Sequence, residues 1–168
     1  MSPAEDEPGL EAALITISSS RAQDGGPDEG GDALAAFAVG LELEIVSRET
    51  ISDDRALIAA RLRALSDELD VRLILTTGGT GLTPNDLTPE ATADVIDRQV
   101  PGIGEAMRAA SQPHTRHWML SRATAGIRGG TLIVNFPGSP KSIAETGAAL
   151  AAALPHALRL VRGEYDPH

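Results

Sequence analysis

The chain has 168 residues, of which 42% are hydrophobic and 2% aromatic, so one domain with an aliphatic core is expected. Its formal net charge of −10 disfavours non-specific binding to nucleic acid or to an anionic membrane surface. Cysteine is absent, which excludes disulfides and thiolate metal sites, and no apolar run approaches the roughly 18 residues of a membrane-spanning helix. The composition predicts a cytoplasmic globular protein without nucleic-acid or membrane partners.

The first half of the chain is predicted to alternate strands with helices. Residues 1–10 are acidic and contain proline, unlike a signal peptide, and are expected to form a disordered leader before a single domain over 11–168. Apolar runs and turn residues then predict, in order, a strand over 12–17, a loop over 18–31, a helix over 31–40 and a strand over 42–49. A helix beginning near Asp54 follows, with an inward stripe of Ile58, Leu62, Leu65 and Leu69.

The second half continues the same alternation. The predicted elements are a strand over 71–76, a helix capped by Thr88, a helix from Pro101, a strand over 131–136, an alanine-rich helix through Ala153 and a last helix from Pro155 to Val161. The pattern over 116–128 assigns no element. Strands that alternate with helices predict an α/β fold with a mostly parallel sheet covered on both faces.

A glycine-rich turn after the third predicted strand is the most informative segment. Gly78, Gly79 and Gly81 follow the strand directly, and Asp86 lies a few residues further on. In open α/β sheets ligands bind at the carboxyl ends of strands, where glycines let backbone N–H groups approach an anion and a carboxylate can bind a metal ion. The segment lacks the Gly-Lys-Ser/Thr ending of a P-loop and the Gly-x-Gly-x-x-Gly of a dinucleotide fold. It predicts a phosphate-binding loop of another kind.

Parallel strands would bring four turns to the same edge of the sheet. These turns contain Ser18–Arg21, Ser52–Asp54, the glycine-rich turn with Asp86, and Pro137–Lys141. Either Asp53 or Asp54 could instead cap the next helix, and Asp86 could simply order its turn. Two carboxylates beside a glycine-rich turn suit phosphoryl or nucleotidyl transfer with Mg²⁺, and Arg122 or Lys141 could bind the opposing phosphate. No Gly-x-Ser-x-Gly elbow occurs, so a hydrolase triad is not expected.

Four ordered motifs resemble one known family, the molybdopterin adenylyltransferases of the MogA/MoaB group in molybdenum cofactor biosynthesis. The resemblance covers about two-thirds of the chain. The motifs are Thr76-Thr77-Gly78-Gly79-Thr80-Gly81-Leu82-Thr83-Pro84-Asn85-Asp86-Leu87-Thr88-Pro89-Glu90-Ala91, Val100–Arg108, Leu120–Ile127 and Asn135–Lys141.

This resemblance implies a three-layer α/β/α sandwich, a homo-oligomer that is a trimer or hexamer, and transfer of AMP from ATP to molybdopterin with Mg²⁺. Asp53 and Asp86 match the family's catalytic and metal-binding aspartates. A downstream molybdenum insertase is an implied partner. The implied substrate-binding residues are Thr77, Gly78, Gly79, Thr80, Gly81, Glu105, Arg108, Ser111, Ser121, Arg122, Pro137, Gly138, Ser139, Pro140 and Lys141.

The chain departs from the family after the first strand. Relatives usually show Ser-Asp or Ser-Asp-Arg there, whereas this chain has Ser18-Ser19-Ser20-Arg21, followed by a compressed acidic segment over 27–31. The departure affects the nucleotide side of the expected site. It motivates an alternative function, a non-catalytic molybdopterin-binding or scaffold member of the same pathway.

Overall fold

A computed structural model of the chain describes residues 10–164. Residues 1–9 of the predicted leader lie outside the described part. Leu10, the last residue assigned to that leader, packs against the core, and its carbonyl accepts a hydrogen bond of 2.9 Å from the Glu44 N–H. Leu10 is therefore part of the packed structure, although the sequence predicted it as the last residue of a leader.

A six-stranded sheet forms the middle layer, in the order β2-β1-β3-β6-β5-β4. β1, β2, β3 and β6 run parallel, whereas β5 is antiparallel to both β6 and β4. The strands are β1 (Glu11–Ile17), β2 (Glu44–Ile51), β3 (Leu73–Thr77), β4 (Arg98–Gln99), β5 (Ala125–Arg128) and β6 (Thr131–Phe136).

Within residues 10–164, seven helices lie in the connections between and after these strands. They are α1 (Ser19–Asp24), α2 (Glu29–Gly40), α3 (Arg55–Asp67), α4 (Thr88–Ala93), α5 (Pro101–Ser111), α6 (Pro140–Leu150) and α7 (Leu154–Val161), with a 3-10 turn at Trp118–Leu120. Among residues 10–164, no helix is both long and apolar enough to cross a membrane.

Two aliphatic cores lie on opposite faces of the sheet because successive strand residues point to opposite sides. On one face, Leu14, Leu75 and Val134 pack with residues of α2, α5, α6 and α7. On the other, Ile15, Ile74 and Ile133 pack against residues of α3 and α4. The central strands are buried on both faces, which explains their continuous apolar runs. The predicted three-layer α/β/α sandwich with a mostly parallel sheet is confirmed.

The loop predicted over 18–31 is wrong in part, because α1 lies within it and α2 begins at Glu29. The Ser18 side chain caps α1 by accepting from the Arg21 N–H, and Gly25, with φ +69°, ends the helix. No residue of α1 is buried, so this helix has no apolar periodicity by which it could be recognised. The segment over 18–31 as a whole carries Ser, Gly, Pro and Asp without periodicity, which is typical of a loop.

Other differences lie at the ends of elements. β2 runs two residues later than expected, after a turn in which Glu42 has φ +59°, and α6 ends at Leu150 rather than Ala153. α3 ends at Asp67, so Leu69 is not part of the inward stripe and is 46% exposed. Leu87, not Thr88, is the N-cap of α4. The unassigned region over 116–128 contains the 3-10 turn and β5.

Candidate functional site

The predicted turns meet at one edge of the sheet because the four strands that precede them are parallel. Ile17 of β1 is paired with Ile51 of β2, and Thr77 of β3 is paired with Thr16 of β1 and Phe136 of β6. The Thr77 hydroxyl also donates to the Pro137 carbonyl at 2.8 Å, which joins the turns after β3 and β6. The convergence expected from the sequence is confirmed.

Gly78 and Gly79 need to be glycine for reasons of space as well as backbone conformation. Gly78 has φ +98°, and a Cβ there would lie 2.4 Å from the Ile17 carbonyl oxygen. Gly79 has φ +69°, and a Cβ there would lie 2.2 Å from the Thr88 hydroxyl. That hydroxyl donates to the Gly78 carbonyl at 2.9 Å, and the Thr88 N–H donates to the Gly79 carbonyl. Thr88, predicted as a helix cap, instead binds the glycine-rich turn.

An open cavity of about 360 Å³ lies above this turn. Eight of its lining residues are ones that the sequence assigned to the site, including Asp86, while Leu120 was missed. Leu120 ends the 3-10 turn in the region where no element was predicted. The lining consists of Gly78, Gly79, Thr80, Gly81, Asp86, Leu120, Ser121, Pro137 and Gly138.

Asp86 is partly exposed, and one of its carboxylate oxygens is used within the turn. Its Oδ2 accepts from the Thr83 N–H at 2.9 Å and from the Thr83 hydroxyl at 2.8 Å. No described residue donates to Oδ1. A Cβ on Gly81 would lie 2.8 Å from Oδ2, so glycine at 81 lets the carboxylate pack against the backbone. Asp86 therefore orders its turn through one oxygen, as the simpler interpretation held, and its contact with a ligand stays a prediction.

Ser121 reaches the cavity because β5 runs opposite to its neighbour β6. The segment that precedes β5 therefore lies at the edge where the parallel strands end, and the Asn135 N–H donates to the Thr124 carbonyl at 2.8 Å. Arg108 donates to the carbonyls of Ser121 and Ala123 at 3.2 and 2.8 Å. Arg108 thus contacts the backbone of the cavity wall.

Asp53 and Asp54, which the sequence could not distinguish, have different contacts. The Asp54 carboxylate accepts from the Leu57 N–H at 2.9 Å and is the N-cap of α3. Asp53 Oδ2 accepts from the Ser19 N–H and hydroxyl at 2.9 and 3.0 Å, and the Asp53 N–H donates to the Ser19 hydroxyl. Asp53 is therefore the residue that joins the turns after β1 and β2, and no described residue donates to its Oδ1.

Substitutions at these two positions should have different effects. Asp54→Ala should lower the free energy of unfolding by about 1 kcal/mol through loss of the cap, with turnover retained. Asp53→Asn should lower turnover by at least about 10-fold, because the neutral amide removes the carboxylate charge at this turn. Urea denaturation and a product assay on both variants test this. The assignment of Asp53 would be wrong if Asp54→Ala lost turnover and Asp53→Asn kept it.

The remaining predicted substrate-binding residues do not line the cavity, and their contact with substrate stays a prediction. Thr77 is buried, and the Ser111 hydroxyl donates to the Met107 carbonyl within α5. Ser139 caps α6 by accepting from the Ser142 N–H at 3.1 Å. The exposed members of this set are Glu105, Ser139, Pro140 and Lys141.

The sequence analysis described the acidic segment over 27–31 but assigned no role to Asp28 within it. It caps α2 by accepting from the Gly31 N–H at 2.9 Å, and it accepts from the hydroxyl of Thr16 near the end of β1 at 2.7 Å. Burial favours the neutral carboxyl, but the hydrogen bonds from Thr16 and Gly31 and the charges of Arg48 and Arg21 outweigh it, so the pKa of Asp28 lies below its ordinary value. An aspartate three residues before Gly31, at the start of an apolar helical pattern, was the available signal.

The lowered pKa of Asp28 predicts a pH-dependent contribution to stability. The ionised group stabilises the fold above its unfolded pKa of about 3.9 and loses this effect as the pH falls through the lower folded pKa. Asp28→Asn should therefore lower Tm at pH 7, and its difference from wild type should shrink below about pH 4. Asp32→Asn is the matched control, because Asp32 is exposed and pairs with the same Arg48. A Tm difference for Asp28→Asn that is equal at pH 7 and pH 3 would contradict the assignment.

A divalent cation at this edge of the sheet would have few ligands from the protein, and water or substrate would supply the others. Within residues 10–164 no group of three or more His, Asp or Glu side chains is placed to bind a metal ion. Asp53 and Asp86 each present one oxygen without a protein donor. Mg²⁺ is commonly bound by one or two protein carboxylates together with water and substrate phosphates. Asp86 lines the cavity whereas Asp53 does not, so the binding of one ion by both carboxylates stays a prediction.

Comparison with protein families gives one domain for nearly the whole chain. A family described as "Probable molybdopterin binding domain" matches residues 13–156. The chain is 44% identical to a molybdopterin adenylyltransferase of Helicobacter pylori over 117 residues, which cover 70% of this chain and 66% of that protein. It is 37% identical to the molybdopterin adenylyltransferase of Escherichia coli K12 over 173 residues, covering 93% and 87% of the two chains. The chain spans just under two thirds of the first relative and most of the second.

Solved structures show the same fold. The molybdopterin biosynthesis enzyme MoaB from Thermus thermophilus is 41% identical, with a TM-score of 0.86 over 92% of this chain and 97% of that one. The molybdopterin biosynthesis Mog protein from Mycobacterium ulcerans is 34% identical, with a TM-score of 0.85 over 91% and 99%. The likeness therefore includes the sheet edge at which the cavity lies.

Proposed function

This chain belongs to the molybdopterin-binding domain family of molybdenum cofactor biosynthesis, and we propose that it is a nucleotidyltransferase that adenylylates molybdopterin. The cavity above Gly78–Gly81, with Asp86 in its wall, is the observation that carries the proposal. It combines backbone that can approach a phosphate with a carboxylate that keeps a free oxygen. The relatives that match most of the chain bear the name of this activity.

In the proposed reaction the terminal phosphate of molybdopterin attacks the α-phosphorus of ATP. A new P–O bond joins the two substrates, the bond from the α-phosphorus to the bridging oxygen breaks, and pyrophosphate leaves. Such transfers depend mainly on positioning and on compensation of phosphate charge. The glycine-rich turn would orient the pterin phosphate, and the turns after β1 and β2 would lie on the nucleotide side.

Asp53 and Asp86 are the residues proposed to bind Mg²⁺. When bound, the ion would neutralise phosphate charge and orient the leaving pyrophosphate. The contacts with Ser19 and Thr83 hold one oxygen of each carboxylate, and we propose that the second oxygen binds the ion. The net charge of −10 makes local compensation important, since the chain as a whole repels anionic substrates.

Incubation of the purified chain with molybdopterin, ATP and Mg²⁺ tests the proposal. We expect adenylylated molybdopterin and pyrophosphate in equal amounts, and no product when EDTA is added. Binding of molybdopterin without release of pyrophosphate would overturn the enzymatic function. That result would support the alternative, a pterin-binding or scaffold member of the pathway.

The altered first turn is the observation that favours the alternative. The Ser19 N–H and hydroxyl both donate to one oxygen of Asp53, and this oxygen is therefore less available to bind a metal ion. The second oxygen is sufficient for monodentate binding, so the enzymatic function remains the better supported of the two.

The assembly and setting of the protein are also proposals. We expect a cytoplasmic homo-oligomer, a trimer or a hexamer, that passes its product to a molybdenum insertase. Sedimentation at micromolar concentration tests the oligomer, because a single 17.5 kDa particle would contradict it.

A further inference from the structure

Arg122 directs most of its donors at the glycine-rich segment and the helix that follows it. Its Nε donates to the Gly81 carbonyl at 2.7 Å, and its Nη2 donates to the Asp86 carbonyl at 2.6 Å. Nη1 lies 2.7 Å from both carboxylate oxygens of Glu90 on α4. A guanidinium has five N–H donors, and the bonds to Gly81, Asp86 and Glu90, the last shared by both carboxylate oxygens, occupy three of them.

The part of the loop that Arg122 spans has few other contacts with the body of the protein. Residues 82–85 are exposed, and their hydrogen bonds are local ones between Thr83 and Asp86. Arg122 binds the carbonyls on either side of this exposed stretch. The position of the Asp86 carboxylate relative to the cavity therefore depends on the Arg122 side chain.

Arg122 is itself fixed from the opposite side. Its backbone N–H donates to the Thr80 carbonyl at 2.9 Å. Arg108 of α5 donates to the carbonyls of Ser121 and Ala123, the residues on either side of Arg122. Two arginines thus connect α5, the segment before β5 and the Asp86 loop in one continuous series of hydrogen bonds.

We propose that Arg122, paired with Glu90, is a positioning residue that sets the place of Asp86, and that it does not bind a substrate phosphate. The part of this inference that concerns turnover rests on the proposed adenylyl transfer. The part that concerns the loop does not. This proposal gives Arg122 a different role from the contact with a phosphate that the sequence predicted, because its hydrogen bonds go to Gly81, Asp86 and Glu90.

Arg122→Lys separates the two roles, because lysine keeps the charge but cannot reach Gly81, Asp86 and Glu90 together. A positioning role predicts that kcat falls about 10- to 100-fold with little change in KM for ATP or molybdopterin, the scale of a small misplacement of a catalytic group. In an Asp86→Asn background the same substitution should lower single-turnover rates less than about twofold, since the group it positions is already disabled. A raised KM with unchanged kcat, or losses that multiply in the double variant, would overturn the proposal.

A second measurement does not depend on catalysis. Hydrogen exchange of the Thr83 and Asp86 amides, which donate hydrogen bonds within the loop, should become at least about 10-fold faster in Arg122→Lys and in Glu90→Gln, while the strands stay protected. Arg55→Lys is the matched control. It disrupts the bidentate pair between Arg55 and Asp94, which lies at the end of α4 and outside the loop. Exchange that is unchanged in Arg122→Lys, or equally fast in Arg55→Lys, would refute the role. If the wild-type chain transfers no AMP, the proposed function fails while this comparison still decides the inference.

Discussion

Asp86→Asn should reduce turnover by about two orders of magnitude or more, which is the effect of removing one electrostatic contributor at a reacting centre. Asparagine has nearly the same shape, and its amide oxygen can still accept from the Thr83 N–H and hydroxyl. The loop should therefore keep its conformation while the charge facing the substrates is lost. Product formation, molybdopterin affinity and Tm measured on the same preparation separate these effects.

Asp94→Asn provides the matched control for this variant. Asp94 lies at the end of α4 and pairs with Arg55 on the protein surface, away from the cavity lining. The same chemical change there should leave turnover within about twofold of wild type, as surface pairs have small effects. Wild-type turnover in Asp86→Asn would remove Asp86 from the mechanism. A variant that no longer binds molybdopterin would indicate a role in binding instead.

Gly78→Ala should have the largest effect on stability, a loss of about 3 kcal/mol or more in the free energy of unfolding. Part of the loss comes from the backbone, because alanine is strained at φ +98°. The rest comes from the Ile17 carbonyl oxygen, 2.4 Å from the added Cβ, which belongs to the central strand β1 and cannot move without disturbing the sheet. Urea unfolding at pH 7 measures the change.

Gly40→Ala adds the same methyl group where nothing lies within 4 Å. Gly40 is the last residue of α2, so alanine there should be neutral or stabilise the protein by up to about 1 kcal/mol. The contrast between the two variants isolates the close approach at Gly78 from the general effect of replacing glycine. An unchanged unfolding midpoint in Gly78→Ala would show that the turn after β3 does not pack against β1 in this way.

The features that the sequence predicted correctly have strong local signatures. β3 and β6 are buried on both faces, so they appear as short apolar runs followed by turn residues. Because these strands are parallel, the turns that follow them lie at the same edge of the sheet. The glycine pattern predicted backbone that approaches an anion, which stays a prediction, and the structure shows that Gly78 lies close to the Ile17 carbonyl. For these reasons both the fold and most of the cavity lining could be predicted.

The features that could not be predicted depend on contacts between distant parts of the chain. Arg122 binds carbonyls 36 and 41 positions away in sequence, and no pattern around residue 122 indicates which donors point inward. Asp53 and Asp54 are adjacent and chemically identical, so only the backbone direction at the start of α3 decides which one caps the helix. β4, with two exposed residues, is too short for an apolar pattern.

The close packing of the turns also has a consequence for the speed of ligand capture. Gly78 lies against Ile17, and a Cβ on Gly138 would contact the Gly78 Cα at 3.7 Å, so the two turns pack against each other and against β1, and we expect them to keep one conformation. Binding of a pterin would then require no preceding conformational change of the turns. The observed association rate should rise in proportion to ligand concentration, without the plateau that a preceding isomerisation of the protein would impose.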